Sequence, residues 1–252
     1  MTAPVFLADA NRLRLAAIGD VVILDGPEGR HAATVRRLRA GERLDLVDGA
    51  GLMCAAEVVA VRGNCLEARL LDRTEVPRPQ PSLTVVQALA KGDRDERAVE
   101  TMTEVGVDVI VPWKAARSIV RWDSERARKG VERWQAVARE AAKQARRPWL
   151  VDIAELASTV QVEQRLRDVI AAGGLAVVLH ESATRALADF TPRASGEMVL
   201  VVGPEGGLND EELAAFAACG AATCRLGPTV LRTSTAGTVA AAVLFARTAR
   251  WA

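Results

Sequence analysis

Residues 199–236, VLVVGPEGGLNDEELAAFAACGAATCRLGPTVLRTSTA, decide the fold. Val199–Val202 is a short apolar, β-branched run, the pattern of a strand buried on both faces. It breaks at Gly203-Pro204-Glu205-Gly206-Gly207, where the backbone must turn tightly or approach something closely. Asn209 stands where a helix N-cap belongs. Asp210, Glu211 and Glu212 fill the first turn, where the helix dipole favours carboxylates. That helix stops near Gly220. A second strand, 222–226, runs into another corner at Gly227-Pro228, and Leu231-Arg232-Thr233-Ser234-Thr235-Ala236 then leads into an apolar helix. Two glycine corners after neighbouring strands, with a third polar turn, predict a small-molecule site at strand C-termini.

Working outward, the chain from 83 to 236 alternates strands with helices. Strands are expected at 83–89, 107–111 and 175–179, and helices at 94–105, 125–145, up to 172, and near 183–190. Alternation of this kind predicts a mostly parallel sheet with helices on both faces. Residues 1–72 read differently. Short strand-like runs at 21–24, 43–47, 53–61 and 65–71, separated by Asp-Gly and Gly-Asn turns, suggest a small barrel, with a helical piece at 28–39. Between them, RTEVPRPQPS (73–82) has prolines at 77, 79 and 81, which disfavour helix and cannot feed a central strand. The domain boundary is therefore expected at 73/74, giving domains 1–73 and 74–252.

Composition narrows the function classes. Half of the residues are apolar and the formal charge is +1, so the total charge carries no argument for a nucleic-acid partner. Its distribution does: residues 113–147 hold eleven Lys/Arg against four Asp/Glu. Four cysteines and two histidines show no metal spacing, so reduced buried thiols and no metal are expected. Met1-Thr2-Ala3-Pro4 lacks the basic start of a signal peptide, and the longest apolar run, 239–246, is too short for a bilayer. A cytoplasmic protein with no membrane contact is the expectation.

GPEGG is not GxGxxG, and no GxxxxGK[ST] occurs, which removes the defining residues of dinucleotide and P-loop sites. Taken alone, the glycine corner leaves a ligand loop and a plain turn evenly matched. Arg30, Arg36, Arg37 and Arg39 with His31 lie within ten residues and tilt toward phosphate contact over a merely solvated face. Arg126, Lys129, Arg133 and Lys143 follow one face of the long helix and read as a solvated face. Trp134 sits on that helix's apolar stripe, hence core; for Trp122, base stacking, burial and a dimer contact all stay open.

GPEGG, the acidic helix start and LGPTVLRTSTA are similar to the signature of the RsmE family, 16S ribosomal RNA uracil-N3 methyltransferases of the SPOUT superfamily. The likeness extends through His31 with VRRLRAG (35–41), KGDRDE (91–96), TEVGV (103–107), EAAKQARR (140–147) and LHESAT (179–184), and so spans the whole chain. Ser234 is a departure, since the family commonly carries Glu there.

The resemblance implies a PUA-like β-barrel RNA-binding domain ahead of a SPOUT domain, an α/β fold threaded as a trefoil knot. It implies S-adenosyl-L-methionine held by three loops: Leu179, His180 and Glu181; Gly203, Pro204, Glu205, Gly206 and Gly207; and Leu226, Gly227, Leu231, Thr233, Ser234 and Thr235. It implies methylation of uridine N3 in 16S rRNA of the small ribosomal subunit, at the decoding-region uridine conventionally numbered 1498. Arg232 is then the catalytic residue, a guanidinium that stabilises negative charge on the base; read without the family, an arginine paired with Asp or Glu is the default there. Lys91, Arg94, Arg117 and Arg147 join His31, Arg36, Arg37 and Arg39 as RNA contacts. The apolar helix 236–250, together with the family's habit, implies a homodimer. Two alternatives stand beside it: a catalytically silent RNA-binding assembly factor on the same fold, and an ordinary α/β enzyme acting on a small nucleotide.

Overall fold

In the computed structural model, which describes residues 3–251, the architecture changes after the connector's second proline approaches, a few residues later than 73/74. One unit comprises residues 1–78 and 142–150; the other comprises 79–141 and 151–252. Met1 and Thr2, on which the reading of the N-terminus partly fell, lie outside the described residues, as does Ala252.

The first unit is built from β1 (Val5–Leu7), α1 (Ala10–Leu15), β2 (Val21–Leu24), α2 (Gly26–Arg30), β3 (Arg43–Val47), β4 (Leu52–Arg62), β5 (Cys65–Leu70) and β6 (Thr74–Glu75). The sheet order is β1-β3-β4-β5-β2, with β6 added on β4. Only β1–β3 pairs parallel. Period-2 burial is plain in β4, where Leu52, Cys54, Ala56 and Val58 point into a core shared with Leu44, Leu46, Leu66 and Ala68. The helix expected at 28–39 is shorter: α2 passes into a π-helical turn, His31–Val35, and Arg37 adopts φ 56°.

The boundary shifts because backbone pairing continues past residue 73. Thr74 and Glu75 pair with Met53 and Leu52, and Val76 N–H donates to Gly51 O at 2.8 Å. The later segment 142–150 closes on the same strands. Trp149 Nε1–H donates to Val76 O at 2.9 Å, and Lys143 forms a buried ion pair with Glu28 at 2.8 Å. Lys143 is thus a structural cation of this unit and not part of a solvated helix face.

The second unit contains β7 (Ser82–Ala88), α3 (Arg94–Val105), β8 (Val109–Trp113), α4 (Ser124–Gln144, its last residues belonging to the first unit), β9 (Asp152–Ile153), α5 (Thr159–Ala171), β10 (Leu175–Leu179), β11 (Glu197–Val202), α6 (Asp210–Ala218), β12 (Ala222–Cys224) and α7 (Thr233–Phe245). All five strand pairings are parallel, in the order β12-β10-β11-β7-β8-β9. The sheet is buried on both sides, as near-continuous apolar strands require. Leu83 and Val85 of β7, with Met198, Leu200 and Val202 of β11, face α3, α4 and α7. Val86, Val199 and Val201 face α5 and α6, where Phe216 meets Trp113 edge-on at 5.5 Å. Trp134 is core, as its stripe predicted, and Trp122 is buried against it.

Two expectations change. The helix near 183–190 is only a 3₁₀ turn, Leu187–Asp189. The strands that end in glycine corners, β11 and β12, are not neighbours: β10 runs between them. Its own corner, 179–181, therefore completes a continuous rim. Among the described residues no helix is long and apolar enough to cross a membrane, and no group of three His, Cys, Asp or Glu could hold a metal.

The unit's C-terminal tail is fastened by charge. Arg250 donates to both oxygens of Asp108 and to the carbonyls of Pro81 and Gly106, while Asp108 also accepts from Leu83 N–H. The two side chains are only 7% and 4% exposed. Asp108→Ala leaves a buried guanidinium without its counter-charge, which costs about 3–5 kcal/mol. Urea unfolding should show that loss, and a change under ~1 kcal/mol would mean the tail is held by packing instead.

Candidate functional site

Parallel strands that end at one edge leave backbone groups with no further strand to pair with, and each of the three corners deals with this differently. After β10, His180 N–H continues the ladder by donating to Cys224 O at 2.9 Å. The chain then turns back on His180. Ser182 N–H donates to Nδ1 at 3.3 Å, with its Oγ 2.8 Å from the same nitrogen. A ring nitrogen that accepts from an N–H carries no proton itself, so a neutral His180 bears its hydrogen on Nε2.

After β11, the corner 203–207 is pinned from both sides. Gly207, at φ +70°, closes a turn by donating to Pro204 O at 3.0 Å. Glu205 accepts from Lys91 N–H at 3.2 Å and from Arg94 at 2.9 Å. Arg117 donates to Gly206 O at 3.3 Å and to Leu208 O at 3.2 Å. A Cβ on Gly206 would stand 3.1 Å from that of Arg117, so a small residue is needed where the arginine crosses. The loop enters α6 through the predicted cap. Asn209 Oδ1 accepts from Glu212 N–H at 2.7 Å, while buried Glu212 accepts from Asn209 N–H and from Ala116 N–H.

Burial alone would raise the Glu205 carboxyl. Hydrogen bonds from its own backbone, from Lys91 N–H and from Arg94, with the Arg94 charge, outweigh burial and hold it below the usual range. Glu205 is consequently a loop anchor and a poor proton acceptor.

After β12, the corner 226–231 is left open. Gly227 takes φ +136°, and among the described residues no backbone group of 226–231 makes a hydrogen bond within the chain. The segment lines a cavity of about 700 Å³ together with the other two corners. A volume of this size falls within the range typical of small-ligand pockets, roughly 300–1,000 Å³.

Of the fourteen residues expected to hold a ligand, twelve line this cavity. Ser234 and Thr235 do not. In the first turn of α7, Thr233 and Ala236 share the cavity face, and the helical pitch turns the two residues between them away. Ser234 is buried and Thr235 is exposed, its hydroxyl on Arg232 O.

Arg232 lines the cavity, exposed, as the N-cap residue of α7. Its carbonyl accepts from Thr235 and Ala236 N–H, while its guanidinium has no partner among the described residues. Sequence reading missed Arg225, also exposed on the lining with no side-chain partner among the described residues. Its signal was its place directly before Leu226-Gly227-Pro228. Asp210 was missed as well, whereas Thr229 and Val230 belong to the expected loop 226–235.

The residues expected to touch RNA fall in two groups. Arg94 and Arg117 are on the cavity lining, their guanidiniums engaged by the 203–208 loop, and Lys91 is exposed beside them. In the first unit, Arg36, Arg37 and Arg39 are exposed, Arg147 is half-buried, and His31 packs edge-on against Phe6 at 5.8 Å.

Residues 77–245 match the family model for the RNA methyltransferase domain, and 24–71 match the RNA methyltransferase PUA domain. The chain is 46% identical to ribosomal RNA small subunit methyltransferase E of Mycobacterium bovis, over 100% of this chain and 94% of that protein. It is 31% identical to the Bacillus subtilis protein of the same name, over 84% and 85%. Among solved structures, ribosomal RNA small subunit methyltransferase E from Neisseria gonorrhoeae bound to S-adenosyl methionine superposes with a TM-score of 0.83 at 27% identity, over 96% of each chain.

A carboxyl depressed on folding adds stability that is complete above its unfolded pKa and is lost as pH falls through the folded value. The Glu205 carboxyl resonance should therefore titrate below the ordinary glutamate value of about 4.3. Arg94→Ala should move the midpoint up. A wild-type midpoint at or above the ordinary value would show that the loop is not anchored by charge.

Proposed function

We propose that this chain, which belongs to the ribosomal RNA small subunit methyltransferase E family, transfers a methyl group from S-adenosylmethionine to N3 of a uridine in 16S rRNA. The second unit is a SPOUT-type RNA methyltransferase domain and the first a PUA domain. The uridine numbered 1498 and the knotted threading of the corners belong to this reading.

The observation that carries it is the open corner at 226–231. Main-chain donors and acceptors without partners in the chain, in a segment that lines a cavity of about 700 Å³, suit a ligand with an adenine edge and an amino-acid end. When bound there, S-adenosylmethionine supplies a methyl group made electrophilic by its sulfonium.

The chain's own task is positioning and charge. For N3 to be methylated its proton must leave, and negative charge spreads onto the two flanking carbonyl oxygens. Arg232, with no competing partner, can set its guanidinium beside one of them. Glu205 is excluded as the base by its anchoring role, and the Nδ1 of His180 by its bonds to Ser182. That leaves solvent and the other lining carboxylates, Glu181 and Asp210, to take the proton.

The free cations fit an RNA substrate. Arg225 and Arg232 are the cavity arginines with no side-chain partner among the described residues, and Arg36, Arg37 and Arg39 give the PUA unit a basic arc. A homodimer is part of the proposal. α7 is apolar nearly all round, yet in one chain Val239 stays 40% exposed, with Thr235 and Ala246 also open. A second copy covering this face would bury them.

Arg232→Ala should lower kcat for methyl transfer by roughly 10²–10³, with the fold and S-adenosylmethionine affinity retained. Unchanged turnover would remove the role. Mapping of methyluridines in 16S rRNA with and without the protein tests the target. An unchanged map, or no cofactor binding by calorimetry, would favour the silent assembly factor. Val239→Glu should convert a dimer to monomers in sedimentation velocity, and an unaltered profile would place the interface elsewhere.

A further inference from the structure

Gln87 lies in β7, one residue from its end, and is fully buried (0% exposed). It does not line the cavity, yet it ties two of the cavity's corners together. Its Nε2 donates to Thr233 Oγ1 at 2.9 Å and to Ala88 O at 3.1 Å. Thr233 Oγ1 in turn donates to Gly203 O at 2.9 Å.

The proton pattern has one solution. Both carbonyls can only accept, and a hydroxyl has a single proton to give. That proton goes to Gly203, so Gln87 must donate to Thr233, and its second amide proton goes to Ala88. All three protons point one way. The amide oxygen is left over: Gln87 Oε1 is buried with no hydrogen-bond partner. The backbone of α7 passes close by, since a Cβ on Gly237 would stand 3.5 Å from that oxygen.

An unpaired buried acceptor works against the fold, and an apolar side chain of similar shape would avoid it. What the amide provides is a fixed join. Gly203 opens the corner after β11, and Thr233 begins α7 directly after Arg232. Without the relay, the Gly203 carbonyl loses its partner, and the first turn of α7 can shift against the pinned 203–207 loop.

We propose that Gln87 is a positioning residue, which acts through Thr233 to hold these two corners at the spacing the cofactor requires. The proposal rests on the reading that the cavity takes S-adenosylmethionine.

The test compares Thr233→Val, which keeps the shape without the hydroxyl, Thr233→Ser, which keeps the hydroxyl, and Gln87→Glu, which cannot donate as a carboxylate. Titration calorimetry with S-adenosylmethionine is read beside thermal unfolding. Thr233→Val and Gln87→Glu should each weaken binding by roughly tenfold or more, the scale of one lost hydrogen bond. Thr233→Ser should stay within about threefold of wild type, and the Val/Glu double variant within about threefold of either single, because both break one chain of bonds. A Thr233→Val protein that melts earlier but binds like wild type would overturn the proposal, as would Thr233→Ser binding no better than Thr233→Val. If Gln87→Glu does not fold, Gln87→Met, which keeps the length without an amide, takes its place, because Thr233 itself lines the cavity. A wild-type protein that binds no S-adenosylmethionine removes the underlying reading as well, whereas normal wild-type binding with indifferent variants removes only this role.

Discussion

Parallel strands joined by crossover helices all finish at the same edge of their sheet, and this constraint organises the second unit. At that edge the ladder runs out, and every connection must satisfy or expose its own backbone groups. The three corners after β10, β11 and β12 resolve the matter differently. The first extends the ladder by one bond to Cys224, the second is pinned by side chains, and the third is left open. A cavity arises where an open corner faces two fixed ones.

The arginines around it divide by the same logic. Arg94 and Arg117 neutralise or crosslink the 203–208 loop, so their charge is directed at the protein itself. Arg225 and Arg232 flank the open corner and keep their guanidiniums for other partners. An arginine's presence in a family motif does not reveal which of these it does. The distinction depends on whether a carboxylate or carbonyl lies within reach of its fork.

Much was legible in the residues. Alternating runs and turn dipeptides marked a small β unit ahead of an α/β unit. Continuous apolar strands required burial on both faces, and Asn209 marked the start of α6. These readings succeeded because each rests on local physics: strand period, helix capping and proline's missing N–H. Ser234 and Thr235 show the limit. The family likeness put them with the third loop, and helical pitch turns them off the cavity lining.

By itself the sequence determined a small β unit ahead of alternating strands and helices, the two glycine corners, the cysteine and metal chemistry to be expected, and a family likeness along the whole chain. Only the tertiary structure decided that β10 separates β11 from β12, that 142–150 belongs with the barrel strands, and which cations are spoken for. It alone could show Gln87, 146 positions from the threonine it holds. Strand order and side-chain partnership are set by contacts between residues far apart in the chain, and the local patterns that identify a strand or a turn carry no record of which distant neighbour it meets.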